Sequence, residues 1–286
     1  MKVILAIAAA GIGFAQTRGI VPEEVVKARP PAKTAVTATK APQYKPIDTG
    51  SLRQPSTARQ MGITIWRLRP ALANDSGARI LVQEESNTAE WVPERVAATS
   101  SLKPGDRVRV TIESPESGFL YVIDRERYSS GERGEPYLIF PTTRTHGGDN
   151  QAAGGKLVDI PAQDDRPNFF ALRPSRPDQV EEELTVLLTK EPLEGIEIGP
   201  KALRLAQDQV EQWEKQWGAV QPELFELSGG AGRTWTQAEQ QAGANTRLLT
   251  QDDPPPQTVY RVAVKPSEPL MVKVRLRYST SRSGRR

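Results

Sequence analysis

The clearest pattern along the chain is alternation. In LKPGDRVRVTIE, Leu102 to Glu113, the apolar Val108, Val110 and Ile112 fall on one side of an extended chain. Arg107, Arg109, Thr111 and Glu113 fall on the other. Successive side chains of a strand point to opposite faces, so this period of two predicts a half-buried strand. The turn cluster SPESG then leads into GFLYVIDRERY, where either Leu120 and Val122 or Phe119, Tyr121 and Ile123 face inward. The two runs predict a hairpin. Further short runs follow: MGITIWRLRP from Met61, ARILVQEE after an NDSG turn, PYLIFP, KLVDIP, NFFALR and EELTVLLTK. Pro141, Pro161 and Pro174 close several of them, where a missing N–H interrupts a ladder. QTVYRVAVKPSEPLMVKVRLRY predicts a last pair of strands joined by KPSEP. Short strands with regular turn signals predict a mainly β fold, an immunoglobulin-like antiparallel β-sandwich spanning residues 61–278.

One segment changes period. In GPKALRLAQDQVEQWEKQWG, Leu203, Ala206, Val210, Trp213 and Trp217 recur at intervals of three and four. Pro200 stands at a first helical position and Gly218 past the end. This predicts one amphipathic helix over about 200–217, inserted near the C-terminus, with both tryptophans on one face. That face either packs on the sheet or, with Tyr128, offers a candidate partner surface, since tryptophan is common at interface hot spots. Residues 228–256 are expected to form a long surface loop before the final hairpin.

The ends differ from the middle. MKVILAIAAAGIGFAQ has Lys2, an apolar run from Val3 to Phe14, and small Gly13 and Ala15, the pattern of a secretory signal peptide over residues 1–15. No other run approaches the roughly 20 apolar residues of a membrane span, so no span is expected after signal cleavage. Residues 16–60, with RPPAKTAVTATKAPQYKP, lack periodicity and predict a disordered basic Pro/Ala/Thr linker. Residues 279–286, STSRSGRR, predict a disordered basic tail. The net charge of +3 belongs to these ends: residues 17–60 hold eight Lys or Arg against three acids, whereas 61–278 hold 26 against 32. The predicted compartment is outside the cytoplasm, periplasmic or extracellular, which argues against a nucleic-acid partner for the basic ends.

Candidate chemistry is sparse. The chain has no cysteine, which excludes disulfides, thiol catalysis and cysteine zinc sites. Its single histidine, His146, lies in LIFPTTRTHGGDN, expected to be a core strand followed by an exposed polar loop. A lipase-like His-Gly-Gly corner also needs a G-x-S-x-G elbow, which is missing. AAGGKL fails as a phosphate loop, with Asn150 where the first glycine belongs and Leu157 after the lysine. Asp149 with Asn150, and Asp164 with Asp165, are the loop clusters of oxygen ligands worth naming, and neither has EF-hand spacing. No metal and no cofactor are expected. Paired carboxylates could serve a glycosidase, and Tyr121, Tyr128 and Tyr137 beside one hairpin could stack on sugar, though tyrosine is ordinary strand composition.

Ser101 to Pro192 resembles a bacterial family known as domain of unknown function 4384. The shared marks are Gly105-Asp106 before a strand, Gly118-Phe119-Leu120-Tyr121, the corner Leu138-Ile139-Phe140-Pro141, then Asn150, Gly154 and Ile160-Pro161. The resemblance covers about a third of the chain. It implies an exported β-sandwich module with no catalytic residues to carry over. The expectation is a non-enzymatic binding or scaffolding module of the bacterial cell envelope that contacts one or more envelope proteins. Envelope-glycan binding through exposed aromatics and an unrecognised hydrolase site are the alternatives.

Overall fold

The computed structural model describes residues 23–31, 42–47, 58–84, 87–244 and 247–279. The expected signal peptide and residues 280–286 of the expected tail lie outside these. In chain order the elements are α1 (Glu23–Lys27), β1 (Tyr44–Ile47), β2 (Arg59–Pro70), β3 (Ile80–Glu84), β4 (Asn87–Val96) and β5 (Ser101–Leu102). β6 (Arg107–Glu113), β7 (Gly118–Tyr128), β8 (Tyr137–Phe140), β9 (Gln151–Ala152), β10 (Leu157–Ile160) and β11 (Phe170–Ala171) follow. The chain then runs through β12 (Gln179–Thr189), β13 (Leu203–Arg204), α2 (Gln207–Trp217), β14 (Glu223–Leu227), α3 (Gln237–Gly243), β15 (Thr258–Val262) and β16 (Leu270–Tyr278).

These strands make two open sheets in a sandwich-like arrangement. The first runs β1-β14-β15-β2-β4-β3, with β6 also on β2, and β10 and β11 on β6. The second runs β13-β8-β7-β12-β16-β5, with β9 on β7. All pairs are antiparallel except β16 with β5. The alternation read in the sequence places one apolar row per strand between the sheets. Ile63, Ile65, Val108, Val110 and Ile112 come from the first sheet; Leu120, Val122, Val186, Leu188, Val272 and Val274 come from the second. Each such side chain contributes roughly 1.5–3 kcal/mol by leaving water.

The outer faces depart from the expected half-buried pattern. On the second sheet, Tyr121, Ile123, Leu187 and Met271 are covered by Val210 and Trp213 of α2. On the first, the polar row of β6 is not solvated: Arg109, Thr111 and Glu113 are all buried. The segment expected to be a loop over 228–256 folds across it. That segment contains α3, whose N-terminus is closed by a capping box between Thr236 and Glu239. It also contributes Trp235, which packs with Trp66, Leu68, Ile80 and Val82. The buried ion pair of Arg95 with Glu239 ties the cover to β4, while Arg109 with Asp159 at 3.2 Å and Arg29 with Glu113 at 2.8 Å pair the covered charges of β6. Trp66 Nε1 donates to Thr111 Oγ1, which donates to Asp159.

Two sequence expectations about boundaries are corrected. The helix starts at Gln207, not near 200, because Leu203 and Arg204 pair with Leu138 and Tyr137 at the edge of β8. A free sheet edge offered those residues ladder hydrogen bonds that a helix end could not match. The expected linker is not featureless within its described parts. Arg29, 4% exposed, reaches Glu113 with two hydrogen bonds, and β1 pairs with β14 from Tyr44 opposite Leu227 to Ile47 opposite Leu224. Neither segment has periodicity of its own; both are ordered by groups far along the chain. Among the described residues no helix is long and apolar enough to cross a membrane.

Candidate functional site

At one end of the second sheet the inward-facing rows turn from apolar to acidic. On β7 the row Leu120, Val122 continues as Asp124, Glu126 and Tyr128; on β12 Leu188, Val186, Leu184 continue as Glu182; on β16 Leu276 is followed by Tyr278. Register brings these together. Glu182 stands opposite Glu126, and Asp124 stands opposite Leu184 on one side and Tyr137 of β8 on the other. Residues directly opposite in an antiparallel pair share a face, so three carboxyls and an aromatic ring occupy one patch.

Glu182 is 8% exposed. One of its oxygens accepts from Gln179 Nε2 at 2.7 Å and from the Tyr278 hydroxyl at 2.8 Å. Its other oxygen, Oε2, is buried without a hydrogen-bond partner, and so is Oδ1 of Asp124. The Tyr128 hydroxyl donates to Glu126 and lies 3.4 Å from Ser175 Oγ. Burial, then the charges of Glu182 and Glu126, push the Asp124 carboxyl well above the usual carboxylate range. Burial also raises Glu182; the hydrogen bonds from Tyr278 and Gln179 pull the other way, and the Glu126 charge adds to the rise. Burial and the nearby Glu182 raise the Tyr278 phenol in turn. Desolvated like charges on one floor retain a proton at pH values where a surface carboxyl has lost it.

The patch opens into a cleft of about 440 Å³ bounded by Asp124, Glu126, Tyr128, Glu132, Glu135, Tyr137 and Ser175. Arg133 also borders it but is committed to Glu214 and, at 3.0 Å, to Glu183. Among the described residues, none of Asp124, Glu126 and Glu182 makes an ion pair. The outer face of the same strands is the reverse. Glu183, 1% exposed, lies within 4 Å of Arg127, Arg133, Lys273 and Arg275, and Glu181 is paired with Arg127, Arg275 and Arg277. Glu214 of α2 joins this network. Burial acts to raise its carboxyl, but hydrogen bonds from Arg133 and Lys273 outweigh it and hold the pKa at about 2.

The residues singled out in the sequence fall as follows. Trp213 is 8% exposed and packs on the second sheet; Trp217, half-buried, stacks on it with ring centroids 5.8 Å apart. Tyr128 is 6% exposed, with the Arg176 guanidinium 3.8 Å from its ring centre. Of the residues expected to form a partner surface, Trp213 is buried against apolar side chains of β7, β12 and β16, Tyr128 is buried under Arg176, and Trp217 stays half-buried beside Trp213. The tyrosine row proposed for sugar stacking is broken as well, since Tyr121 is buried and Tyr137 alone among the described aromatics is exposed. His146 is half-buried rather than exposed. Its Nε2 contacts the Asp159 carbonyl, its backbone N–H donates to Asp165, and its ring meets Phe140 edge-on. These contacts hold it in the left-handed region at φ 52°. Asp149 accepts from the Gln151 N–H, and Asp165 from His146 and Ala162, so both act as turn acceptors. Among the described residues, no group of three or more His, Cys, Asp or Glu is placed to hold a metal ion.

The marks of the family resemblance hold corners. Gly105 sits at φ 90° and exchanges bonds with Leu172 through its own N–H and the Asp106 carbonyl. A side chain at Gly118 would meet the Thr189 carbonyl at 2.4 Å, and one at Gly154 the Glu116 backbone at 3.0 Å. The Tyr121 hydroxyl accepts from the Leu193 N–H, and Asn150 bonds the Leu120 backbone with both its side chain and its carbonyl. Phe140 is fully buried; Pro141 and Pro161 close β8 and β10. The sequence reading missed Asp124, Glu126 and Glu182. Their signal was present as charges on the inward parity of strands whose other inward residues are apolar. No family model, no curated protein and no solved structure matches this chain.

Proposed function

We propose that this protein is an exported, non-enzymatic binding module of the bacterial cell envelope. It has an immunoglobulin-like sandwich, is related to the family of domain of unknown function 4384, and acts through protein–protein contacts. The observation that carries the reading is the acidic cleft: solvent reaches carboxyls that have no counter-ion within the described chain. Surface carboxylates of a stable fold are ordinarily solvated or paired; the recessed and unpaired Asp124 and Glu126 leave their neutralisation to something outside. The partner surface is thus assigned to the mouth of the sandwich around Tyr137 instead of the face of α2. In-cell photo-crosslinking from position 137, with p-benzoylphenylalanine in place of Tyr137, tests this. The expected result is a discrete protein adduct that disappears when Asp124→Asn and Glu182→Gln are combined. Absence of any adduct overturns the reading, and an adduct sensitive only to glycan-cleaving enzymes transfers it to envelope-glycan binding.

A hydrolase is the second reading, and the same carboxyls favour it, because a carboxyl raised by burial beside another carboxyl is the form a general acid takes. Turnover of an envelope polysaccharide or peptide by the purified chain, abolished by Asp124→Asn, would establish it.

A further inference from the structure

We infer that the cleft at the end of the second sheet is a receptor for a single cationic side chain, a lysine or arginine presented by the partner polypeptide. The inference rests on the binding-module reading and adds the chemistry of what is bound. Three independent features of the cleft point the same way. Its lining is acidic, with Asp124, Glu126, Glu132 and Glu135 against one arginine, and that arginine is already engaged by Glu214 and Glu183. Asp124, which lines the cleft, keeps a buried Oδ1 without a hydrogen-bond partner, and Glu182, outside the lining, keeps a buried Oε2 unpartnered behind it. A buried acceptor of this kind is rare in a folded protein and asks for a donor. Tyr137, the exposed aromatic, stands directly across the strand pair from Asp124. A ring face next to carboxylates is the combination that recognises ammonium and guanidinium groups, through cation–π attraction and charge-assisted hydrogen bonds together.

Among the described residues, the cations nearest this place are engaged elsewhere. Arg176 lies over the Tyr128 ring and pairs with Asp178 and Glu132, and Arg204 pairs with Glu135 at the outer rim. A divalent metal fits less well, since the described residues hold no group of three or more ligands placed for one. An ammonium or guanidinium group can take its hydrogen bonds from Asp124 and Glu126 singly, without closing a coordination shell.

The test is an NMR titration of the full chain with Nα-acetyl-lysine methylamide, its arginine counterpart, and the Nε-acetylated lysine probe. Saturable shifts of the Tyr137 ring with both charged probes, and none with the neutral one, are expected. Asp124→Asn is expected to weaken the charged probes about tenfold. Equal shifts with the neutral probe, a response to calcium chloride in place of the amines, or no saturable shift with any probe would each overturn the inference. Should Asp124→Asn fail to fold, the contrast between charged and neutral probes on the unaltered chain decides alone. An adduct from position 137 together with a silent titration would leave the module reading standing and remove the cation. A saturable titration without an adduct would do the opposite.

Discussion

β12 presents glutamates to both of its faces, and the two sets live under opposite conditions. Glu181 and Glu183, on the outer face, are surrounded by Arg127, Arg133, Lys273, Arg275 and Arg277. Glu182, one residue away and facing inward, has two neutral hydrogen-bond donors, two neighbouring acids and, among the described residues, no cation. The residue type is the same and the positions adjoin; the face alone decides the electrostatics. Glutamate here is a structural anion on one side of the strand and a strained, proton-retaining group on the other. Stability is invested in the outer face and withheld from the inner one, as expected where a site awaits a ligand.

The comparison can be broken most severely from the outer side. Glu183→Ala leaves four partly exposed cations around an empty position, and removing one partner of a buried ion pair costs about 3 kcal/mol. A fall of the urea midpoint without change of slope would show it; an unchanged midpoint would deny the outer network its role. Glu214→Gln comes next. The folded-state pKa of Glu214 lies below the ordinary value, so its contribution is present above about pH 4.5 and is lost as pH falls towards 2. The variant should be less stable than the parent by about 2 kcal/mol at pH 7, with the two converging near pH 2. Parallel melting curves across that range would contradict the assignment.

The inner face should respond with the opposite sign. The carboxyls of Glu182 and Asp124 are raised in the folded state, so they favour folding below the ordinary carboxylate range and cease to do so as pH climbs through their raised values. Glu182→Gln is therefore expected to be neutral near pH 4 and to stabilise by about 1 kcal/mol at pH 8, read as a higher melting temperature. Destabilisation at both pH values would mean that Glu182 is an ordinary structural anion. Smallest of all, Arg275→Ala should shift stability by less than about 0.5 kcal/mol, because its side chain is 48% exposed and its contacts are 3.7 Å long.

Much of this contrast could be seen in the sequence, but not its meaning. In GFLYVIDRERY, Asp124 and Glu126 share parity with Leu120 and Val122, and in EELTVLLTK Glu182 shares parity with Leu184 and Val186. Acids on an inward row mark the end of a core. That Glu182 meets Glu126, 56 residues away, and that Tyr137 joins Asp124 across an extra residue in β8, depends on register between strands. Register is set by turns and by the facing sheet, and local propensity does not encode it. The Trp213 and Trp217 stripe was legible as amphipathic. Its burial was not, because an apolar helix face looks the same whether its cover is a sheet or a partner.

By itself, the sequence determined the β class, the apolar row of β6, and the existence of one tryptophan-bearing helix. Each of these follows from periodicity within a few consecutive residues. The tertiary structure alone decided which polar residues are buried. Arg29, with no pattern around it, became ordered against Glu113; the polar row of β6 was covered by residues 228–256; and Asp124 and Glu126 were placed at one mouth with Glu182 across the strand pair behind them. Desolvation and charge pairing depend on distance in space, and a strand's alternation fixes only which face a residue takes.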